Sequence, residues 1–131
     1  MANQRQRLGR WGESQAAEYL VDQGYRVLER NVRTPYGEID LVAQLAEANI
    51  YSSDTSLITV FVEVKTRSTS TFGLPEESVT ARKREHMIAA ARSYLQEHPE
   101  LGDAWRIDVI AIQRLRSDRP PSIHHFENAI N

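Results

Sequence analysis

Apolar positions along the chain recur with two different periods, and each period predicts a different kind of element. From about Leu8 to Gln23 and from about Ser78 to Glu97 they return every three or four residues, as on the buried face of a helix. Gly24 and Pro99 follow these two segments, and both residue types commonly end a helix. The pattern therefore predicts two helices, with residues 1–7 as a polar, frayed start.

Strand character is found between and after the predicted helices. Alternating positions and continuous apolar runs predict strands at Tyr25–Val32, Glu38–Gln44, Leu57–Arg67 and Trp105–Ile112, with a short edge strand at Ile123–Phe126. The strand at Leu57–Arg67 is so apolar that we expect other elements to cover both of its faces. In the second strand, alternation places Ile39, Leu41 and Ala43 on one face and Asp40 and Val42 on the other.

The order of the elements predicts one α/β domain over residues 1–131. Three successive strands favour an antiparallel meander, and the second helix then crosses over to a strand parallel to one of them. The pattern breaks at residues 45–56, interpreted as a loop insertion in a hairpin, and at 114–122, interpreted as a loop before the terminal strand. A central mixed β-sheet flanked by helices follows.

Composition narrows the possible chemistry. The 131 residues include no cysteine, so any metal must have oxygen or imidazole ligands, which favours Mg²⁺ or Mn²⁺. The net charge of −2 argues against a general nucleic-acid-coating protein, although basic clusters around Arg7, Lys83 and Arg116 can be local patches or simply solvated faces. We recognise neither a signal peptide nor a membrane helix, and we expect a cytoplasmic protein.

Three charged residues interrupt the apolar strands. Glu63 and Lys65 are two positions apart in the most apolar strand, so they point to the same face with Cα atoms roughly 6.6 Å apart. Asp40 interrupts the preceding strand, and if the two strands are neighbours, Asp40 and Glu63 lie side by side. Two adjacent carboxylates repel unless a cation joins them, and a divalent metal would satisfy both. The alternative is an ordinary ion-pair ladder on an exposed strand.

Two helical residues extend this set. Glu13 precedes Ala16 and Ala17 at helical spacing and should face the sheet, or else interact with the helix dipole at the first turn. Lys83 lies near the start of the second helix, where it can attract a phosphate or belong to a solvated face. Asp108 is as readily explained by a structural salt bridge with Arg106 as by a site role. The histidines show no metal-ligand spacing and are interpreted as surface or satisfied residues.

At these residues the sequence resembles the bacterial YraN family, also called UPF0102. The resemblance rests on Gly9-x-x-Gly12-Glu13, Gly24-Tyr25, Asn31, Gly37-Glu38-Ile39-Asp40-Leu41, Phe61-Val62-Glu63-Val64-Lys65-x-Arg67, Lys83 and Arg106-Ile107-Asp108. That family is similar to the PD-(D/E)xK nuclease superfamily and, within it, to archaeal Holliday-junction resolvases. The resemblance implies a restriction-endonuclease-like core.

Position by position, the resemblance implies that Asp40 and Glu63 are metal ligands, that Lys65 is the catalytic lysine, and that Glu13 completes the site. Ile39 stands where the superfamily's name has a proline, a difference that is common in such proteins and does not affect the chemistry. The sequence departs from the family pattern in the segment 45–56, which is longer, and at Ile107, where an aromatic residue is more usual. Neither departure involves the acids.

The leading hypothesis is a Mg²⁺- or Mn²⁺-dependent endonuclease acting on DNA, with branched or otherwise structured DNA as one candidate substrate. Phosphate contacts are expected from Arg67, Arg82, Lys83 and Arg84. A nuclease fold that binds nucleic acid or a partner without cutting is the first alternative. A purely structural protein, whose acids and lysine form an internal ion-pair network, is the second. Junction resolution would also require a homodimer with two sites.

Overall fold

The structure is a computed structural model that describes residues 3–48, 55–68, 80–115 and 118–131. Its elements, in chain order, are α1 (Gln4–Asp22), β1 (Arg26–Thr34), β2 (Gly37–Ala48), β3 (Thr55–Arg67), α2 (Ala81–Glu97), a short 3₁₀ helix (Pro99–Leu101), β4 (Trp105–Gln113) and β5 (Ser122–Ile130). No helix within these ranges combines the length and the apolar character needed to cross a membrane.

The strands form one five-stranded mixed sheet in the order β1-β2-β3-β4-β5. All neighbours are antiparallel except β3 and β4, which run parallel because α2 carries the chain across between them. The predicted mixed sheet with flanking helices is therefore confirmed, and it is consistent with a restriction-endonuclease-like core.

Each helix covers one face of the sheet. Ala16 and Leu20 of α1 pack in one buried cluster with Val62, while Ala91 of α2 packs in the other with Phe61. Because Phe61 and Val62 are consecutive, their side chains point to opposite faces, and both are buried. This explains the continuous apolar run of β3, which was expected to be covered on both sides.

The start of α1 differs from the prediction. Residues 1–7 were expected to be frayed, but the helix begins at Gln4. The Asn3 side chain accepts a hydrogen bond from the Gln6 backbone N–H at 2.8 Å, and the Gln6 side chain accepts one from the Asn3 backbone N–H at 3.1 Å. This reciprocal capping box satisfies two donors that the helix end would otherwise leave unpaired. The sequence pattern Asn3-x-x-Gln6 is the local signal for this cap.

The strands extend further than the alternation indicated. Residues 45–48 and 55–56, predicted to belong to a loop insertion, instead continue β2 and β3, with Leu45 paired to Ile58 and Ala48 to Thr55. Leu45 and Ile58 pack against the cluster under α1, which makes the extension favourable. Residues 49–54 lie outside the described part. The terminal strand is also longer than predicted, since β5 covers Ser122–Ile130.

The face assigned to Ile39 was wrong. Ile39 packs in the cluster beneath α2, together with Val42, whereas Leu41 packs on the opposite side beneath α1. The pairing of β2 with β3 begins at Leu41 opposite Val62, whereas the pairing with β1 keeps one register through this point, with Val32 opposite Ile39 and Arg30 opposite Leu41. Asp40 therefore stands just before the point where β2 begins to pair with β3.

Candidate active site

Asp40 and Glu63 are brought together by the antiparallel pairing of β2 with β3. Asp40 Oδ2 accepts a hydrogen bond from the backbone N–H of Val64 at 2.8 Å, which holds the carboxyl group against β3. Burial, followed by the charge of Glu63, raises the pKa of Asp40 to about 8, and Glu13 adds a smaller contribution. The two acids therefore form a pair in which a second negative charge is disfavoured.

Two lysines contact the second acid of this pair. Lys65 Nζ lies 3.3 Å from Glu63 Oε1, and Lys83 Nζ lies 3.6 Å from the same oxygen. Lys65 reaches Glu63 along one face of β3, whereas Lys83 comes from the first turn of α2. Burial lowers the pKa of Lys65, and the neighbouring Lys83 ammonium lowers it further, against the raising effect of Glu63.

The third acid, Glu13, enters from α1. With the Asn31 amide oriented so that its nitrogen faces the carboxylates, Asn31 donates to Glu13 Oε2 at 2.9 Å and to Glu38 Oε1 at 3.1 Å. Asn31 has a left-handed φ of 53°, which asparagine tolerates better than most residues. Partial burial raises the pKa of Glu13, the hydrogen bond from Asn31 lowers it, and the charge of Glu38 raises it.

The position of Glu13 depends on a close helix–sheet contact. Gly12 is buried, and a β-carbon built at Gly12 would collide with the side chain of Thr66 on β3. The absence of a side chain at Gly12 thus lets α1 lie close to the end of β3 and brings Glu13 towards Asp40 and Glu63.

One cleft collects the three acids. It has a volume of about 600 Å³, and its lining includes Glu13, Asp40 and Glu63 together with two arginines, Arg5 and Arg67. Lys65 and Lys83 are not among the described lining residues, so they lie beside Glu63 rather than in the cleft wall. The cleft is thus acidic at its centre and basic at two points of its wall.

The donor set suits a hard divalent cation, because carboxylate oxygens are the ligands that Mg²⁺ and Mn²⁺ prefer. The raised pKa of Asp40 also indicates excess negative charge that such a cation would neutralise. Within the described ranges, however, no three acidic or histidine side chains are arranged closely enough to hold a metal together. The carboxylate of Glu13 is held by Asn31 and that of Glu63 by lysines, so binding would require side-chain rotation.

The predicted phosphate-binding residues are distributed unevenly. Arg67 lines the cleft, and Arg82 and Arg84 are exposed on the first turn of α2. Lys83, by contrast, is committed to an ion pair with Glu63. Arg5, two residues before Arg7 in the first basic cluster, also lines the cleft, a position that depends on the early start of α1 and that the sequence did not predict.

Asp108 belongs to a separate buried network outside the described cleft lining. Its side chain is fully buried and contacts Arg106 Nε at 3.0 Å, His125 Nε2 at 2.7 Å and the backbone N–H of Asn128 at 2.9 Å. Burial raises the pKa of Asp108, but the hydrogen bonds from these three partners outweigh it, so the pKa is lowered overall. The structural salt bridge with Arg106 is the better interpretation, and His125 is a satisfied histidine.

Comparison with known proteins gives a consistent family assignment. Residues 12–112 match the family described as "Uncharacterised protein family UPF0102", a span that includes Glu13, Asp40, Glu63 and Lys65. A UPF0102 protein of Moorella thermoacetica is 42% identical over 98% of this chain and 99% of its own length. One from Syntrophomonas wolfei is 45% identical over 93% and 96%, respectively.

Proposed function

The chain belongs to the UPF0102 family, and from its cleft we propose that it is a divalent-metal-dependent endonuclease that hydrolyses phosphodiester bonds of DNA. The observation that carries this proposal is the convergence on one cleft of Glu13, Asp40 and Glu63, each from a different element. Lys65 beside Glu63 supplies the cation that such chemistry also needs.

Each residue of the site has a proposed role. Asp40 and Glu63 would hold the metal, and Glu13 would either bind it directly or orient its waters. A bound Mg²⁺ or Mn²⁺ would supply Lewis-acid polarisation of the scissile phosphate. Lys65 would position the attacking water and offset the negative charge that develops on the phosphate oxygens. The hydrogen bond from Val64 to Asp40, at 2.8 Å, supports this arrangement because it fixes one carboxylate independently of substrate.

The basic points of the cleft support a polyanionic substrate. Arg5 and Arg67 line the same cleft as the acids, and contacts to phosphates would supply affinity rather than sequence recognition. Arg82 and Arg84, exposed at the start of α2, would extend these contacts. Branched DNA is the substrate to test first, and junction resolution would require a homodimer with two such sites.

The test compares wild type with Glu63→Gln on four-way junction, flap and linear duplex DNA in the presence of Mn²⁺. Glu85→Gln is the matched control, since Glu85 is an exposed acid on α2 outside the described cleft lining. We expect cleavage by wild type and Glu85→Gln and a loss of at least about 100-fold in Glu63→Gln. Equal product from wild type and Glu63→Gln would show that cleavage does not depend on this acid and would refute the proposal.

A second candidate is a nuclease fold that binds nucleic acid or recruits a partner without cutting. The favouring observation is that Glu63 is paired with Lys65 and Lys83, and Glu13 with Asn31, so that the acids are already compensated by the protein. This candidate predicts salt-sensitive DNA binding that survives Asp40→Asn, with no product in any divalent metal.

A further inference from the structure

One carboxylate oxygen of the proposed site, Glu63 Oε1, is shared by two cations from different elements. Lys65 Nζ lies 3.3 Å from it and Lys83 Nζ 3.6 Å. The Lys65 and Glu63 side chains are each 15% exposed, whereas the Lys83 side chain is 41% exposed. The two lysines therefore hold the same acid with very different access to solvent.

The two lysines also belong to different elements and reach Glu63 in different ways. Lys65 follows Glu63 on the same face of β3, so its distance from Glu63 is fixed largely by the strand. Lys83 reaches across from α2, where the Thr80 side chain accepts a hydrogen bond from the Lys83 backbone N–H at 3.1 Å and fixes the first turn. The backbone of Lys83 is thus anchored while its long side chain can leave Glu63 at little cost.

Ligation of a divalent cation would change the balance at Glu63. A carboxylate that neutralises a dication attracts an ammonium group far less than a bare carboxylate does, and the dication itself repels the ammonium. Of the two lysines, Lys83 has the longer contact and the greater exposure, so it is the one released.

We infer, on the basis of the proposed function, that Lys83 is a substrate-phosphate ligand whose availability is controlled by Glu63. Lys83 pairs with Glu63 until that carboxylate ligates a divalent cation, and then it contacts a DNA phosphate. Arg82 and Arg84 flank it on the same exposed turn, where a phosphate would also meet the positive end of the helix dipole. DNA affinity and metal binding are therefore coupled through one side chain.

The experiment measures DNA binding without cleavage, by fluorescence anisotropy of a labelled four-way junction over a range of salt concentrations. Each protein is titrated against the labelled DNA twice, once in the presence of EDTA and once in the presence of Ca²⁺, which binds the same oxygen ligands as Mg²⁺ and Mn²⁺. With Ca²⁺, the negative slope of log K against log salt should be shallower by about 0.9 in Lys83→Met than in wild type, the effect of losing one phosphate contact. With EDTA, the same variant should match wild type.

Two further variants separate release of Lys83 from general loss of charge. Arg84→Met removes a neighbouring exposed cation, and its effect should be equal with Ca²⁺ and with EDTA. Glu63→Gln should release Lys83 without metal, so that the slope measured with EDTA becomes steeper by about 0.9. That gain should vanish in the double variant Glu63→Gln/Lys83→Met and be retained when Lys83 is replaced by arginine.

The outcomes distinguish this inference from the proposed function. If Lys83→Met weakens binding equally with Ca²⁺ and EDTA, or not at all, the inference is wrong while DNA binding and cleavage still stand. If no protein binds DNA under either condition, the proposed function fails and the inference fails with it. Similar melting temperatures for wild type and Lys83→Met would show that the variant remains folded.

Discussion

The carboxyl group of Asp40 accepts a hydrogen bond from the backbone N–H of Val64 at 2.8 Å, immediately outside the regular pairing of β2 with β3. The backbone of β3 therefore fixes this acid, whereas side chains hold the other two, Glu63 by lysines and Glu13 by Asn31. Asp40 is thus the rigid member of the candidate site, and the other carboxylates can reorient around it.

The first prediction concerns the pH dependence of stability. The pKa of Asp40 is about 8 in the folded chain against an ordinary value of 3.8, so folding favours its protonated form. The contribution of protonated Asp40 to the free energy of unfolding is fully present below about pH 4 and is lost as the pH rises through about 8. Each unit of difference between the folded and unfolded pKa corresponds to about 1.4 kcal/mol. Relative to Asp40→Asn, wild type should therefore melt at progressively lower temperature between about pH 5 and pH 8.5. A constant difference would contradict the raised pKa.

The second prediction is stabilisation by a divalent metal. Because binding to the folded state alone adds RT ln(1 + [M]/Kd), Mn²⁺ at about 100 times its Kd should add about 2.7 kcal/mol and raise the Tm by several degrees. Asp40→Asn and Glu63→Gln should abolish most of this shift, whereas the surface variant Glu85→Gln should keep it. Differential scanning fluorimetry with Mn²⁺ or EDTA measures it, and an equal shift in all four proteins would place the metal elsewhere.

The third prediction tests the contact between Gly12 and Thr66. A β-carbon at Gly12 would collide with the Thr66 side chain, so Gly12→Ala should push α1 away and destabilise the protein by about 1–3 kcal/mol. Gly9→Ala is the control on the same helix, because a β-carbon there meets nothing within 4 Å and should be neutral or stabilising.

A rescue variant separates packing from chemistry. Thr66→Ala removes Oγ1 and Cγ2, the two atoms nearest to a β-carbon at Gly12, and leaves only Cβ, at 3.0 Å. Gly12→Ala/Thr66→Ala should therefore recover most of the lost stability, measured by urea unfolding. Metal-induced stabilisation should fall in Gly12→Ala because Glu13 moves with α1, and it should return in the double variant. If Gly12→Ala alone matched wild type in both measurements, the close approach of α1 would not position the site.

The sequence indicated which acids would lie close together better than it indicated the contacts that hold them. Glu63 and Lys65 stood out because charges are costly in a strand covered on both faces, and that reasoning needed only local pattern. The contact of Asn31 with Glu13 joins β1 to α1, and no spacing rule connects elements that meet only after folding. Alternation also gave the wrong face for Ile39, which packs beneath α2 while Leu41 packs beneath α1, although both pair with β1 in one register.

The last prediction separates the Asp108 network from the candidate site. Arg106 contacts three acids: the fully buried Asp108 at 3.0 Å, and two exposed ones, Glu127 and Glu47, both at 3.8 Å. Asp108→Asn removes the one fully buried counter-charge among these partners from a largely buried guanidinium and should cost about 3–5 kcal/mol. Glu127→Gln removes only a solvated partner and should cost less than about 1 kcal/mol. Urea unfolding measures both losses.

A structural role also predicts what Asp108→Asn leaves unchanged. At a temperature where the variant is folded, the stabilisation by Mn²⁺ should match that of wild type, because Asp108 lies outside the described cleft lining and contacts Arg106 and His125 instead. A lost metal response in folded Asp108→Asn would assign this acid to the site. The same loss in Glu127→Gln would instead indicate a long-range charge effect, since Glu127 meets only Arg106 in the described ion pairs.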